Sequence, residues 1–230
     1  MSSAPHQSFL RRTWQVLRDD ARRFYSRRNL VRMAIGLLIG CILANSPLDQ
    51  WLEDAYRQHL HSDAKGAERF HKVTKLFGDR RVVIIVPVTA MAIGTLAPPS
   101  PATLAVGAWG SQMSRALVVG APVTFGGVWL LGGDRPKEGN GSAWHPLKED
   151  HGISGHAFAG ALPFLVMASM TANPAGQTVL YACSGLTAWS RVDSQSHYPS
   201  QVLLGWWLAF LAVRVVRKQR AEGKTAVIGQ

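Results

Sequence analysis

Six apolar runs lie along this chain, at about 31–47, 82–98, 111–131, 156–172, 177–190 and 201–216. A single run of this kind is an ordinary buried helix. Six of them within 230 residues, with few charges inside, point to a polytopic helical bundle in which every backbone polar group is satisfied within its own helix. Several runs fall short of the ~20 residues that cross a bilayer comfortably, and Gly and Pro interrupt some of them. The expected fold is an all-α membrane bundle of about six transmembrane helices over residues 31–216.

Charge is concentrated at the two ends. Residues 1–32 carry Arg11, Arg12, Arg18, Arg22, Arg23, Arg27, Arg28 and Arg32 against Asp19 and Asp20, and the tail adds Arg214, Arg217, Lys218, Arg220 and Lys224. A net charge of +11 suits either nucleic acid or an anionic membrane surface. The neighbouring apolar runs favour membrane lipids as partners and no nucleic acid. Leu10, Trp14, Leu17 and Phe24 recur at near-helical spacing among arginines, so residues 1–30 read as a basic amphipathic helix lying on the membrane. Residues 217–230 read as a basic cytoplasmic tail. Both termini are expected in the cytoplasm, with loop 53–81 and segments 132–155 and 191–200 on the outer side. Arg115 is expected to snorkel to the cytoplasmic interface, and Trp129, Trp144 and Trp189 to sit at headgroup level. Cys41 and Cys183 both lie inside apolar runs, so no disulfide framework is indicated.

Three polar pieces gather on the outer side: GGDRP with Arg135, ISGHAFAG with Ser154, Gly155 and His156, and SRVDSQSHYPSQ with Ser190, Arg191, His197 and Gln201. Ser154 is a good N-cap for the helix that follows it, and Gly155 lets an anion approach that helix start closely. Pro199 suits the first turn of the last helix, which sets His197 at a second helix N-terminus. Arg135 and Arg191 can each grip phosphate oxygens in forked geometry. Two helix starts, two arginines and two histidines describe an oxyanion site that also holds a nucleophile and an acid. His145, His151 and His156 are spaced like metal ligands, but no cysteine or paired carboxylate supports them, so no metal and no cofactor is expected.

These pieces, in this order, resemble the type 2 phosphatidic acid phosphatase superfamily, which includes the vanadium haloperoxidases. Its pattern is K-x6-RP, then PSGH, then SR-x5-H-x3-D, and the resemblance covers about residues 80–216. It implies a six-helix membrane phosphatase working without a metal. His197 would attack phosphorus, His156 would protonate the leaving group and then activate water, and Arg135, Arg191, Ser154 and the Gly155 N–H would hold the phosphoryl oxygens. Three positions depart from the pattern: Val128 stands where the lysine falls, Ile153 where the proline falls, and Gln201 where the aspartate falls. Gln201 is one turn from His197 and can accept its ring proton without adding charge. The resemblance implies an integral-membrane lipid phosphate phosphatase acting through a phosphohistidine on a lipid phosphomonoester or diphosphate. A catalytically weak member that binds lipid phosphate or acts structurally, and a vanadate-dependent peroxidase, are the alternatives.

Overall fold

The computed structural model of the protein describes residues 4–59 and 65–228. Ten α-helices follow in order: α1 (Ala4–Phe24), α2 (Arg27–Ala44), α3 (Leu48–His59), α4 (Lys65–Phe77), α5 (Arg80–Leu96), α6 (Pro101–Leu131), α7 (Gly155–Met170), α8 (Pro174–Ser184), α9 (Leu186–Asp193) and α10 (Pro199–Ile228). No strand occurs among the described residues. The core lies where α7 packs between α6 and α10, around Phe158, Leu162, Leu165 and Val166 of α7 and Leu204, Leu208 and Leu211 of α10. Large apolar side chains are also left on the outside, among them Leu30, Ile35, Leu38 and Ile42 on α2, Ile84, Ile85 and Val88 on α5, and Leu104, Val118 and Phe125 on α6. Such a belt is far more apolar surface than a soluble monomer leaves in water.

The expectation of six spans does not carry over to helix lengths. Among the described residues, two helices are long and apolar enough to cross a membrane, at Pro101–Glu138 and Pro199–Arg217. A third joins them if α2 and α3, bent by 71° at Asn45–Pro47, count as one. With 17 and 16 residues, α5 and α7 rise only about 26 and 24 Å. The run at 177–190 is not one helix. It breaks at Gly185 into α8 and α9, because Trp206 Nε1 donates to Ser184 Oγ on one side and Thr187 Oγ1 donates to the Thr74 carbonyl of α4 on the other. Loop 53–81, expected on the outer side, holds the second half of α3 and all of α4, both amphipathic helices of the kind that cover a core with one face.

Two expectations for the basic end change as well. The N-terminal helix is built into the bundle and does not merely rest on a surface, since Asp20 and Phe24 are fully buried while Trp14 remains exposed; Leu10 lies outside the residues whose side chains are described. Arg115 does not snorkel: its Nε and Nη2 donate to the two carboxylate oxygens of Asp20 at 2.7 and 2.9 Å.

At the opposite pole three contacts organise the loops. The strap 137–152 folds back over the end of α6, where Leu147 N and Gly152 N donate to the carbonyls of Trp129 and Val128 at 3.1 Å each. These are carbonyls that a helix C-terminus leaves unpaired. The strap is also tied to the α2–α3 corner, with Ser142 Oγ donating to Ala44 O and Trp144 N to Asn45 Oδ1. Asp49 of α3, fully buried, accepts from Ser200 N at 2.9 Å and from Ser200 Oγ at 2.5 Å. A carboxylate borrowed from another helix thus occupies the N-terminus of α10, where the helix dipole favours an anion.

Candidate active site

Helix α9 ends in a hook that sets the spacing of the last motif. Gln195 N donates to Val192 O at 2.9 Å and Ser196 N to Arg191 O at 3.0 Å, the paired bonds of a Schellman motif. Its left-handed position is usually glycine, but here it is Gln195 at φ 51°. Gln195 Nε2 donates to Glu53 Oε1 at 3.1 Å, which helps hold that conformation. The hook turns the chain back until His197 N also donates to Arg191 O at 3.2 Å. Arg191 and His197, six apart in sequence, are thereby brought to one place.

Gln201 then fixes the histidine. Its Oε1 accepts from Tyr198 N at 3.2 Å, and its Nε2 donates to the Asp134 carbonyl at 2.9 Å. A backbone N–H only donates and a carbonyl only accepts, so the amide has one possible orientation. The same Oε1 lies 2.8 Å from His197 Nδ1. Nδ1 must therefore carry the proton, which leaves the Nε2 lone pair as the reactive end of the ring. Burial pushes His197 down to about 3, opposed by the Gln201 bond and assisted by His151, His156 and Arg135. At neutral pH the ring is uncharged.

The other expected residues surround it. Ser154, fully buried, caps α7 by accepting from Ala157 N at 3.2 Å, and its own N–H donates to Gln201 O at 3.0 Å. This second bond ties the start of α7 to the start of α10. Arg135, at the head of a 3-10 turn (Pro136–Glu138), and His156, in the first turn of α7, both act electrostatically on His197. Arg191 is 7% exposed and donates through Nη2 to Ser190 Oγ at 3.0 Å. The Nε atoms of Arg135 and Arg191 are buried and have no hydrogen-bond partner among the described residues. Two unpaired guanidinium donors beside a neutral imidazole suit an anion. On its other side, Gly155 and His156 border an apolar cavity of about 250 Å³ lined by Val83, Ile84, Leu117, Ala121 and Phe125.

Comparison with known proteins fits this arrangement. The PAP2 superfamily model matches residues 117–223. That stretch, which holds all seven site residues, is similar to the PAP2 superfamily. That superfamily is one of phosphoesterases, so phosphatase chemistry is the general character of this site. Neither the curated proteins nor the solved structures give a match.

All seven residues singled out from the sequence, Arg135, Ser154, Gly155, His156, Arg191, His197 and Gln201, lie at this one pole. Sequence reasoning treated His151 only as a weak metal candidate. Its ring lies 5.9 Å from that of His197, tilted by 53°, and its Nδ1 is 2.8 Å from Asp150 Oδ1. His145 is on the exposed part of the strap, and among the described residues no cluster of His, Cys, Asp or Glu is arranged to hold a metal ion. Asp49 and Asp134 were also unforeseen; both act by holding the first turn of α10. The signal for His151 was its position five residues before His156, with an acid directly preceding it.

Proposed function

We propose that this protein is an integral-membrane phosphatase of the PAP2 type that hydrolyses the phosphate or diphosphate of a lipid through a phosphohistidine on His197. The observation that carries the reading is the Gln201 amide, which holds the proton on His197 Nδ1 and leaves Nε2 free beside two arginines with unpaired Nε–H groups. His197 Nε2 attacks phosphorus, and the bond from phosphorus to the leaving oxygen breaks. His156 gives that oxygen a proton, and Arg135, Arg191 and the α7 N-terminus stabilise the charge on the three remaining oxygens. Water, deprotonated by His156, then attacks phosphorus and the P–N bond breaks. The products are an alcohol, or a shorter phosphate, and inorganic phosphate.

Two features support a lipid as the substrate. The apolar cavity bordered by His156, the proposed acid for the leaving oxygen, would take the hydrocarbon chain that follows that oxygen. The apolar belt on α2, α5 and α6 reads as lipid-facing surface, with the catalytic pole outside the membrane and the basic pole in the cytoplasm. The test is phosphate release from a panel of lipid phosphates by the full chain in detergent, without added metal. His197→Ala should abolish turnover, and acid-quenched wild type should carry phosphate on His197. A His197→Ala protein retaining more than about a tenth of the rate would remove His197 from the nucleophile's role, since a positioned proton-transfer group alone gives ~10²–10⁴-fold.

A further inference from the structure

The motif lysine is missing at Val128, and Val128 is a partly buried residue packed against the core. Its backbone, however, is where the strap returns: Gly152 N donates to Val128 O at 3.1 Å. The approach is close because residue 152 is glycine. A Cβ there would lie 2.6 Å from Leu131 Cβ and 2.9 Å from both Gly127 O and Gly132 N. The residue before it, His151, is consequently held over the end of α6 with its ring 5.9 Å from that of His197. Its Nδ1 lies 2.8 Å from the Asp150 carboxylate, which can only accept, so Nδ1 carries a proton and Nε2 is the end available to a ligand.

We propose that His151, oriented by Asp150, is the phosphate-binding cation of this site and takes the place of the lysine absent at 128. This rests on the phosphatase reading above. As an imidazolium it donates Nε2–H to a phosphoryl oxygen, while Arg135 and Arg191 hold the others. Unlike a lysine, a histidine can gain or lose its charge within the physiological pH range. Arg135 opposes its positive charge, and Asp150, Glu138 and Glu149 favour it; His197 is its ring neighbour. Burial and Arg135 hold the empty-site His151 below its ordinary range. A bound dianion reverses that balance, so ligand binding takes up a proton and weakens as pH rises.

Sulfate is a suitable probe, because it is a tetrahedral dianion whose own charge does not change over the histidine range. Its binding to the full chain in detergent is measured by titration calorimetry from about pH 5 to 8. Wild type should bind more weakly as pH rises. His151→Gln should bind roughly 10-fold or more weakly at the acidic end, the size expected for one charge-assisted bond, and should lose the slope. His151→Lys should restore binding without the slope, which also excludes misfolding as the cause of the loss. If His151→Gln matches wild type in affinity and slope, or if wild type binds no sulfate at the acidic end, the proposal is wrong. The phosphatase reading fails separately, through the absence of phosphate release from any lipid phosphate by wild type.

Discussion

Arg115 and Arg191 are both largely withdrawn from solvent, yet they differ in what their guanidinium groups meet. Arg115 grips fully buried Asp20 through two parallel bonds, so the charge is matched inside the fold. Arg191 meets a serine hydroxyl and keeps a buried Nε–H with no partner. A buried cation costs several kcal/mol unless it is paired. The fold accepts that cost at Arg191 and avoids it at Arg115. Charge matched from within marks an arginine that holds helices together, and charge left unmatched marks one whose counterpart comes from outside.

Four experiments break or sharpen this contrast. The largest effect is expected from Arg115→Ala, which strands Asp20 and should lower stability by about 3–5 kcal/mol, read by chemical or thermal unfolding in detergent. The double variant Asp20→Leu/Arg115→Met should recover most of it. A folded Arg115→Ala protein should keep its activity per molecule; if it does not, the contrast between the two arginines fails. Next is Arg191→Ala, with the opposite signature. Phosphate release should fall about 10²–10³-fold, as for loss of a transition-state donor, while stability falls less than in Arg115→Ala because the only partner stranded among the described residues is the neutral Ser190 hydroxyl.

The third experiment brings a carboxylate to the catalytic pole. Gln201→Glu turns the donor to the Asp134 carbonyl into an acceptor and supplies an internal anion that competes with substrate. Its cost should be about 1–3 kcal/mol in kcat/KM, and Val128→Lys should not rescue it, because the Asp134 carbonyl remains unpaired. Recovery in the double variant would mean that charge balance outweighs the amide geometry. The smallest effect concerns pH. His197 is held at about 3 against an ordinary 6.5. The unfolded chain therefore binds the extra proton first, and stability is lost as pH falls from about 6.5 toward 3. By pH 5 the loss should be on the order of 1–2 kcal/mol. The drop in melting temperature between pH 7 and 5 should be shallower in His197→Ala than in wild type.

The sequence made the chemistry more legible than the architecture. Arg135, Ser154, His156, Arg191 and His197 could be found because their spacing is set by local structure: an N-cap before α7, a hook after α9, and one helical turn from His197 to Gln201. The helix breaks were hidden because they depend on distant partners. Gly185 is itself a local stop signal, but nothing near it announces that Trp206 and Thr74 will hold the two halves of that run. The same holds for Asp20 with Arg115, 95 residues away, and for Asp49 with Ser200, 151 residues away. A hydropathy pattern records how apolar a segment is and says nothing of which remote donor will bend it. Hence apolar run counting gave six spans, where helix length supports two or three.

The hook at Gln195 has a consequence for how this segment can vary. Two backbone bonds count the residues between Arg191 and His197, and they do so without reference to most of the side chains in between. Composition at Val192, Ser194 and Ser196 is therefore loosely constrained, whereas length is fixed. One inserted residue would shift the register by about 100° of helical rotation and carry His197 away from both Arg191 and the Gln201 amide. The segment acts as a ruler, and variant libraries built on it can diversify Val192, Ser194 and Ser196 as long as the number of letters stays the same, while Asp193 and Gln195 keep their bonds to Tyr56 and Glu53.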